Sequence, residues 1–401
     1  MSRAEYPAPN ERSIDLEELH ETYQKARATG DIYYCPLRSA WLVMGYEPVR
    51  NALRNRDFVA VDPIKQITEL GIRTRSSFLS VTNVLKWMPL LIPDADLHRR
   101  KRKIFTKVLS TISKDYERYA DSVIDRLFTT MKNKEHICFA KEYADRVHFD
   151  IMAGLCGLDD ETVRLLWCCF SGIDALGVLN SVPSLKSLRD SEIGIAKILD
   201  ILTYCDQSGG LIPLLDVIES AMVDQGFIPA SKNSKLEFLC ALFLIGGDTI
   251  SGTLTLGLGY LLRKNNLLIK DDFWRDTEIL ADEFIRIASF STEVSRRASC
   301  DTFLANTRVA KGDYLYIVLP SANLDEKYFP EPLMACPKRS SPSFAFGGGD
   351  HVCSGIRQSK IVVRQTLKHL SKLELISQTG PAQIRPKQMA KLISLPLELK
   401  G

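Results

Sequence analysis

The feature that most constrains this chain is a glycine-rich loop with one cysteine near its end, directly before a helical segment. Residues 346–355 read Phe-Gly-Gly-Gly-Asp-His-Val-Cys-Ser-Gly, and helical periodicity runs from Ile356 to Leu370. The dipole and the backbone N–H groups at a helix start favour the thiolate of Cys353, which is the form that binds metals. Glycines allow positive φ and a close approach of the backbone to a flat ligand. The segment therefore predicts a metal-binding cysteine rather than a turn with an incidental buried one.

Helical periodicity dominates the first three quarters of the chain, and strands are few and short. Helices are predicted at 14–28, 48–54, 97–109, 116–131, 161–170 and 235–262. Strands are predicted at 41–44, 303–309, 314–319 and 392–399. The turn Lys311-Gly312-Asp313 separates the middle two. The expected fold is mainly α with a small β-rich lobe, whose β-rich portions lie at about residues 31–60, 300–321 and 385–400. Because no linker or repeat divides the chain, residues 1–401 are expected to form one domain.

Composition and charge argue against several classes of protein. The 52 Lys and Arg residues barely exceed the 49 Asp and Glu residues, so nothing predicts binding to nucleic acid or to an anionic membrane. The first 30 residues lack the apolar core of a signal peptide, and no membrane anchor is expected. The most apolar stretch, Phe238 to Gly247, stops at Asp248, short of the roughly 20 residues of a membrane span, and indicates a buried helix. The ten cysteines show no zinc spacing, which favours reduced thiols and a cytoplasmic location.

The cysteine segment resembles the haem-binding loop of the cytochrome P450 family, which reads Phe, Gly, any, Gly, any, His or Arg, any, Cys, any, Gly. Every fixed position is met, including Phe346, Gly347 and Gly355. The resemblance implies that Cys353 is the thiolate ligand of haem iron, in haem b, and that His351 binds a haem propionate. Downstream, Ser354 and the residues 356–359 depart from the small and apolar residues usual there, which is expected to alter packing beneath the haem.

Other parts of the same family occur in the same order. Residues 245–249 read Ile-Gly-Gly-Asp-Thr and resemble its oxygen-activating helix segment, with Ile245 replacing a small residue. Paired glycines within a helix cost about 1 kcal/mol each against alanine, which room for a flat ligand and dioxygen would offset, and Gly246 is a candidate cofactor-binding residue. The resemblance implies that Asp248 and Thr249 orient water and relay protons. The alternative is a packing kink with a capped polar group.

Charged residues complete the resemblance. Glu283 and Arg286 stand at i and i+3, and in the family such a pair is joined by a later Arg, here Arg339, in a structural ion-pair cluster. By sequence alone the alternative is a solvated salt bridge. His98 and Arg102, one helical turn apart, resemble the family's propionate-binding pair.

The resemblance extends to a third cation and to the start of the chain. Arg296 matches a further propionate-binding Arg, with Arg297 as an adjacent competitor. Residues 39–53 resemble the family's first strand, turn and helix. The similarity thus runs in order from about Trp41 to Gly355 and covers most of the chain.

The resemblance implies a soluble bacterial type of haem-thiolate monooxygenase that puts one atom of dioxygen into a small apolar organic substrate, in natural-product biosynthesis. Electrons are expected from a ferredoxin-type donor with its reductase, and the protein is expected to be a monomer. Arg99, Arg100, Arg357 and Lys360 are candidates for the donor's docking patch. The alternatives are desaturation, oxidative coupling or peroxide-driven oxidation, or a degenerate haem binder that recruits a partner enzyme. Expected pocket walls are residues 62–93, 171–182, 243–247 and 291–294.

Overall fold

The chain folds into two compact units in a computed structural model. The structure describes residues 16–171, 173, 184–209, 212–227, 233–265, 277–336, 339–385 and 391–400. The first unit contains Met1–Val59, Ile124–Arg146 and Thr249–Gly401, and the second contains Ala60–Val123 and Val147–Asp248. Each unit is described by itself below.

Helices make up most of the described chain. They are α1 (Leu16–Thr29), α2 (Tyr46–Arg54), α3 (Pro63–Thr74), α4 (Leu79–Leu85), α5 (Ala95–Thr111), α6 (Ser113–Lys132), α7 (Asp145–Leu155), α8 (Asp160–Phe170), α9 (Leu185–Gln207), α10 (Ile212–Val223), α11 (Asn233–Asn265), α12 (Thr277–Ala288), α13 (Leu319–Asn323) and α14 (Ile356–Leu370). Short 3₁₀ turns at Pro89–Leu91 and Gly349–His351 and a π-helical turn at Ala140–Ala144 complete the helical structure of these ranges.

Side-chain caps explain where several helices begin. The Asp94 carboxylate accepts a hydrogen bond from Leu97 N at the start of α5, and Asp159 accepts from Thr162 N at the start of α8. Asp62 accepts from Ile64 N at the start of α3, where Pro63 occupies the first turn. Each cap satisfies a backbone N–H that has no partner within the helix and places negative charge at the positive end of the dipole.

The β-structure consists of short strands. They are β1 (Ile32–Cys35), β2 (Ala40–Val43), β3 (Phe58–Ala60), β4 (Ile137–Cys138), β5 (Val294–Ala298), β6 (Thr302–Leu304), β7 (Thr307–Val309), β8 (Tyr314–Ile317), β9 (Leu375–Gln378), β10 (Gln383–Arg385), β11 (Lys391–Ser394) and β12 (Pro396–Lys400). The largest sheet has the order β1-β2-β8-β5-β3, in which β2 and β8 are parallel. The smaller sheets have the orders β4-β12-β9, β10-β11 and β6-β7.

The mainly helical fold with a small β-rich portion is confirmed, and the predicted helices fall within one to three residues of α1, α2, α5, α6, α8 and α11. Two predicted strands are wrong in detail. The strand expected at 303–309 is a hairpin, because Ala305 adopts a φ of 49° and turns the chain between β6 and β7. The strand expected at 392–399 is two strands, β11 and β12, which pair with different partners. The predicted turn is present, with Gly312 at a φ of 93°.

A buried cluster in the first unit packs α2 against the segment that precedes the cysteine loop. The ring of Tyr46 stacks on Tyr328 at a centroid distance of 4.0 Å and contacts Phe344 at 4.8 Å. The Tyr46 hydroxyl donates a hydrogen bond to the carbonyl of Pro342 at 2.9 Å. These contacts tie the irregular segment to α2 through two aromatic rings and one backbone carbonyl.

Helix α11 is the longest in the described chain, and its division between the two units falls after Asp248. The stretch Asn233–Leu262 is long and apolar enough to cross a membrane by length and composition, and 67% of its most apolar window is buried within the protein. Buried core helices of soluble proteins have the same length and composition, so this feature is weak evidence for a membrane span. The burial agrees with the buried helix predicted from the sequence.

Candidate active site

Backbone hydrogen bonds hold the cysteine loop in a defined shape. Cys353 N donates to the carbonyl of Phe346 at 3.0 Å, which closes the loop, and Val352 N donates to Gly349 at 3.2 Å. The loop ends at Gly355, the N-cap of α14. Gly355 N lies 3.3 Å from the Cys353 sulfur, and the cysteine is exposed. An N–H donor and a helix N-terminus both favour negative charge on sulfur, so the loop presents an accessible sulfur suited to bind a metal as thiolate.

Two of the three consecutive glycines are required by the backbone. Gly347 and Gly349 have φ values of 68° and 62°, in the left-handed region that side chains rarely adopt. A Cβ at Gly349 would lie 2.1 Å from the carbonyl oxygen of Leu53, at the end of α2. Glycines in this loop were expected to let the backbone approach a flat ligand. At Gly349 the close neighbour is instead the backbone of Leu53.

The segment 245–249 is continuous helix within α11, and all five residues are half-exposed although their neighbours are buried. The two glycines differ. A Cβ at Gly246 would lie 2.2 Å from the ring of His148, whereas at Gly247 it would meet no atom of the described chain within 4 Å. Open space thus lies beside Gly247, whereas Gly246 makes room for the His148 ring, and the cofactor role of Gly246 stays a prediction. Asp248 and Thr249 follow directly in the accessible part of the helix.

Arg296 is the buried member of the Arg296–Arg297 pair. It lies on β5 with 6% of its surface exposed, and Arg297 is exposed. Its guanidinium donates to the carbonyl of Ser295 at 2.9 Å. Burial lowers the pKa of Arg296 to about 10, which leaves it charged at neutral pH. Among the described residues no carboxylate pairs with this buried cation.

The donor set of the first unit fits a haem. A buried, charged guanidinium requires an anionic partner, and a haem propionate supplies one. An accessible cysteine sulfur beside an N–H donor suits ferric or ferrous iron. His351, which is half-buried in the turn Gly349–His351, adds a second polar side chain near the loop.

The other predicted cofactor residues lie in the second unit. His98 and Arg102 are both on α5, one turn apart, and His98 is 5% exposed. Gly246 and Asp248 belong to the same unit, whereas Thr249, Arg296, Phe346, Gly347, His351, Cys353 and Gly355 belong to the first. The propionate roles of His98, Arg102, Arg296 and His351 remain predictions.

The ion-pair cluster is buried, so the solvated alternative is wrong. Arg286 donates from Nε and Nη2 to the two carboxylate oxygens of Glu283 at 2.8 and 2.9 Å. Arg339 Nε donates to Glu283 at 2.8 Å and, through Nη1, to the carbonyl of Pro330 at 2.7 Å. Arg286 is 1% exposed and Glu283 is 6% exposed. The cluster therefore anchors the irregular segment ahead of the cysteine loop to α12.

Several residues of the site were missed in the sequence. His148 and Tyr116 form a buried hydrogen bond at 3.2 Å. The carbonyl of Leu53 leaves no space for a side chain at position 349. Ser251, two residues after Thr249, donates to Asp145 at 2.6 Å. A glycine inside a helix can indicate that a bulky side chain packs against it. The sequence does not show which residue that is, because the residue is distant in the chain. The expected pocket wall at 171–182 lies outside the described residues except for Ser171 and Ile173.

The candidate docking residues differ in how they are paired. Arg100 donates to the carbonyl of Gln225 at 2.9 Å and lies over the ring of Phe227. Arg99 pairs with Asp96 at 3.2 Å, and Lys360 pairs with Asp282 at 2.6 Å. Arg357 is exposed on the first turn of α14.

Comparisons with known proteins agree with this geometry. The family model described as Cytochrome P450 matches residues 277–400. "Cytochrome P450 109" of Bacillus spizizenii is 22% identical over 376 residues, which cover 89% of this chain and 87% of that protein. "Biotin biosynthesis cytochrome P450" of Bacillus subtilis is 20% identical over 373 residues, covering 90% and 91%. The crystal structure of P450BioI in complex with hexadec-9Z-enoic acid ligated acyl carrier protein has the same fold, with a TM-score of 0.81 at 20% identity, covering 96% of this chain and 99% of that one.

The fold and the cysteine loop together define an oxidoreductase that uses haem iron. The chain resembles the cytochrome P450 family, through the family model over residues 277–400 and through bacterial cytochrome P450 relatives over most of its length.

Proposed function

We propose that this protein hydroxylates a small apolar organic substrate. A substrate C–H group, one dioxygen, two electrons and two protons give the alcohol and one water. The observation that carries the proposal is the accessible Cys353 sulfur, held beside Gly355 N at the start of α14. When bound, haem b supplies activation of dioxygen, which the thiolate promotes by donating electron density.

The ligand is tested by the absorbance of the reduced protein under carbon monoxide. The wild-type protein is expected to show a strongly red-shifted Soret band, and Cys353→Ser to lack it. Cys300→Ser is the matched control, because Cys300 is also exposed and lies outside the loop. A shifted band that survives in Cys353→Ser would overturn the assignment.

Four cationic or polar side chains are proposed to hold the propionates: His98, Arg102, Arg296 and His351. The support is the burial of Arg296 and His98 and the one-turn spacing of His98 and Arg102. Phe346, Gly347 and Gly355 are proposed to shape the loop against the macrocycle, and Gly246 is proposed as a cofactor contact on α11, next to the open space at Gly247. Charge-assisted hydrogen bonds to propionates orient the cofactor.

Asp248 and Thr249 are proposed to orient water and deliver protons to the distal side. Both side chains lie in the accessible part of α11, where a general acid has to be. Substrates are first found by screening for a spin-state shift. Thr249→Ala is then expected to release most of the reduced dioxygen as hydrogen peroxide, and Thr253→Ala, one turn further, serves as control. Full coupling in Thr249→Ala would contradict the relay.

A ferredoxin-type donor, supplied by its reductase, is proposed to dock near α14. The support is Arg357, whose exposed side chain stands on the first turn after the cysteine loop. Arg357→Glu is expected to slow reduction at low salt by about tenfold, with the difference shrinking at high salt. Lys368→Glu, which is exposed on the last turn of the same helix, is the control. Equal rates in both variants would exclude this surface.

We further propose that residues 1–401 act as one domain, as a cytoplasmic monomer in natural-product biosynthesis. The matches to whole relatives over most of their length support a single domain. Sedimentation measures the mass, and coincident unfolding transitions by circular dichroism and Soret absorbance measure the domain count. A dimer, or two separate transitions, would contradict the respective part.

A further inference from the structure

We propose that His148 is a positioning residue that sets the geometry of the α11 turn before Asp248 and Thr249. The inference deepens the proposed function and rests on it, because it concerns the helix segment proposed to relay protons. His148 itself lies on α7 and is 6% exposed.

The hydrogen bonds of His148 determine its tautomer. Nε2 lies 3.3 Å from the carbonyl oxygen of Leu242, and since a carbonyl only accepts, Nε2 carries the hydrogen. Nδ1 then accepts from the Tyr116 hydroxyl at 3.2 Å. Burial lowers the pKa of His148 to about 4, so the ring is neutral at neutral pH. Both ring nitrogens are thus used by the buried Leu242 and Tyr116 groups.

The ring lies at one particular turn of α11. Leu242 and Gly246 are four residues apart, so the carbonyl that His148 contacts is the one that faces Gly246 N in an α-helix. A Cβ at Gly246 would lie 2.2 Å from both Cε1 and Nε2 of the imidazole. Only glycine therefore lets the ring reach this carbonyl. A side chain that enters the backbone ladder of a helix is a recognised cause of local bending.

The contact of His148 with the turn Leu242–Gly246 lies next to the residues proposed to relay protons. Asp248 and Thr249 follow Gly246 by two and three residues, and residues 245–249 are the half-exposed part of this stretch of α11. A change in the turn Leu242–Gly246 rotates and shifts the side chains that follow it. A buried histidine with both nitrogens satisfied can also be merely structural, so the experiment has to separate stability from position.

The experiment uses the haem-loaded protein and imidazole as the probe of the distal side, with affinity measured by absorbance. His148→Phe keeps a ring but loses the donor to Leu242, and is expected to change the imidazole dissociation constant by about tenfold. His148→Gln, whose amide can donate to the same carbonyl, is expected to recover most of the affinity. Ile151→Ala, a deletion at a fully buried position of α7, is the control for lost stability alone.

A double-mutant cycle tests the contact itself. Gly246→Ala is expected to weaken imidazole binding about tenfold in the wild-type background but less than about twofold in His148→Ala, which removes the clash. Additive effects would show that the His148–Gly246 contact does not carry the change. An unchanged affinity in His148→Phe, at a stability loss equal to that of Ile151→Ala, would make His148 structural only.

The carbon monoxide spectrum of every variant separates the two proposals. A wild-type protein without the red-shifted band refutes the haem-thiolate function. Variants that keep this band and also keep the imidazole affinity refute only the role of His148.

Discussion

Replacing Glu283 with Gln isolates the charge of the buried cluster on α12. The carboxylate accepts hydrogen bonds from Arg286, from Arg339 and from Cys336 N, all between 2.8 and 2.9 Å. In Glu283→Gln the amide NH₂ faces arginine donors, and two buried guanidinium groups lose their counter-charge. Breaking a buried ion pair by removing one partner costs about 3–5 kcal/mol, and this range is the expected loss in the free energy of unfolding.

The assay is equilibrium unfolding of the haem-loaded protein in guanidinium chloride, followed by circular dichroism and Soret absorbance. Asp282→Asn is the matched control, because Asp282 pairs with Lys360 at 2.6 Å while both side chains stay about half exposed. An exposed pair contributes at most about 1 kcal/mol. Because Arg339 also binds the carbonyls of Pro330 and Met334, Glu283→Gln is expected to loosen the segment before the cysteine loop and to reduce haem retention.

The pH dependence gives an independent check on the same residue. Burial raises the pKa of Glu283, but the hydrogen bonds and charge of Arg286, with Cys336 N and Arg339, outweigh it and lower the pKa below the ordinary value. The stabilisation is therefore present above the unfolded pKa of about 4.5 and is lost as the pH falls through the folded value. The free energies of unfolding of wild type and Glu283→Gln should become equal in acid, where the Glu283 carboxylate is protonated. A loss at neutral pH no larger than that of Asp282→Asn would refute the reasoning.

Three further outcomes are expected. Gly349→Ala combines a φ of 62° with a Cβ 2.1 Å from the Leu53 carbonyl, and should yield protein with little bound haem by absorbance at equal expression. His148 has a pKa of about 4 in the folded state against about 6.5 in the unfolded state, so the folded state binds fewer protons. The free energy of unfolding of the wild type should therefore fall by about 3 kcal/mol as the pH drops from 6.5 to 4. Titrating the free energy of unfolding of His148→Gln alongside wild type measures this loss. Arg296→Gln should lose haem to a scavenger protein about tenfold faster than Arg297→Gln, and equal rates would remove Arg296 from the propionate set.

The local parts of the site could be predicted from the sequence. The helix after the cysteine loop was predicted at Ile356–Leu370, and α14 has these bounds. Arg286 and Glu283 stand one turn apart on α12 by helical spacing alone. These features depend on contacts between near neighbours in the chain, and the order of residues 346–355 carried the family resemblance that the comparisons confirm.

What the tertiary structure decided are contacts between distant residues. Sequence spacing could not show that Glu283 is buried, that Gly246 is matched to His148, or that Gly349 lies against the Leu53 carbonyl. Burial, and the free space beside a glycine, depend on which segments the fold brings together. The cysteine ligand could be predicted because it depends on the backbone next to it. The need for glycine at positions 246 and 349, and the stabilisation by the Glu283 carboxylate, depend on packing between distant segments.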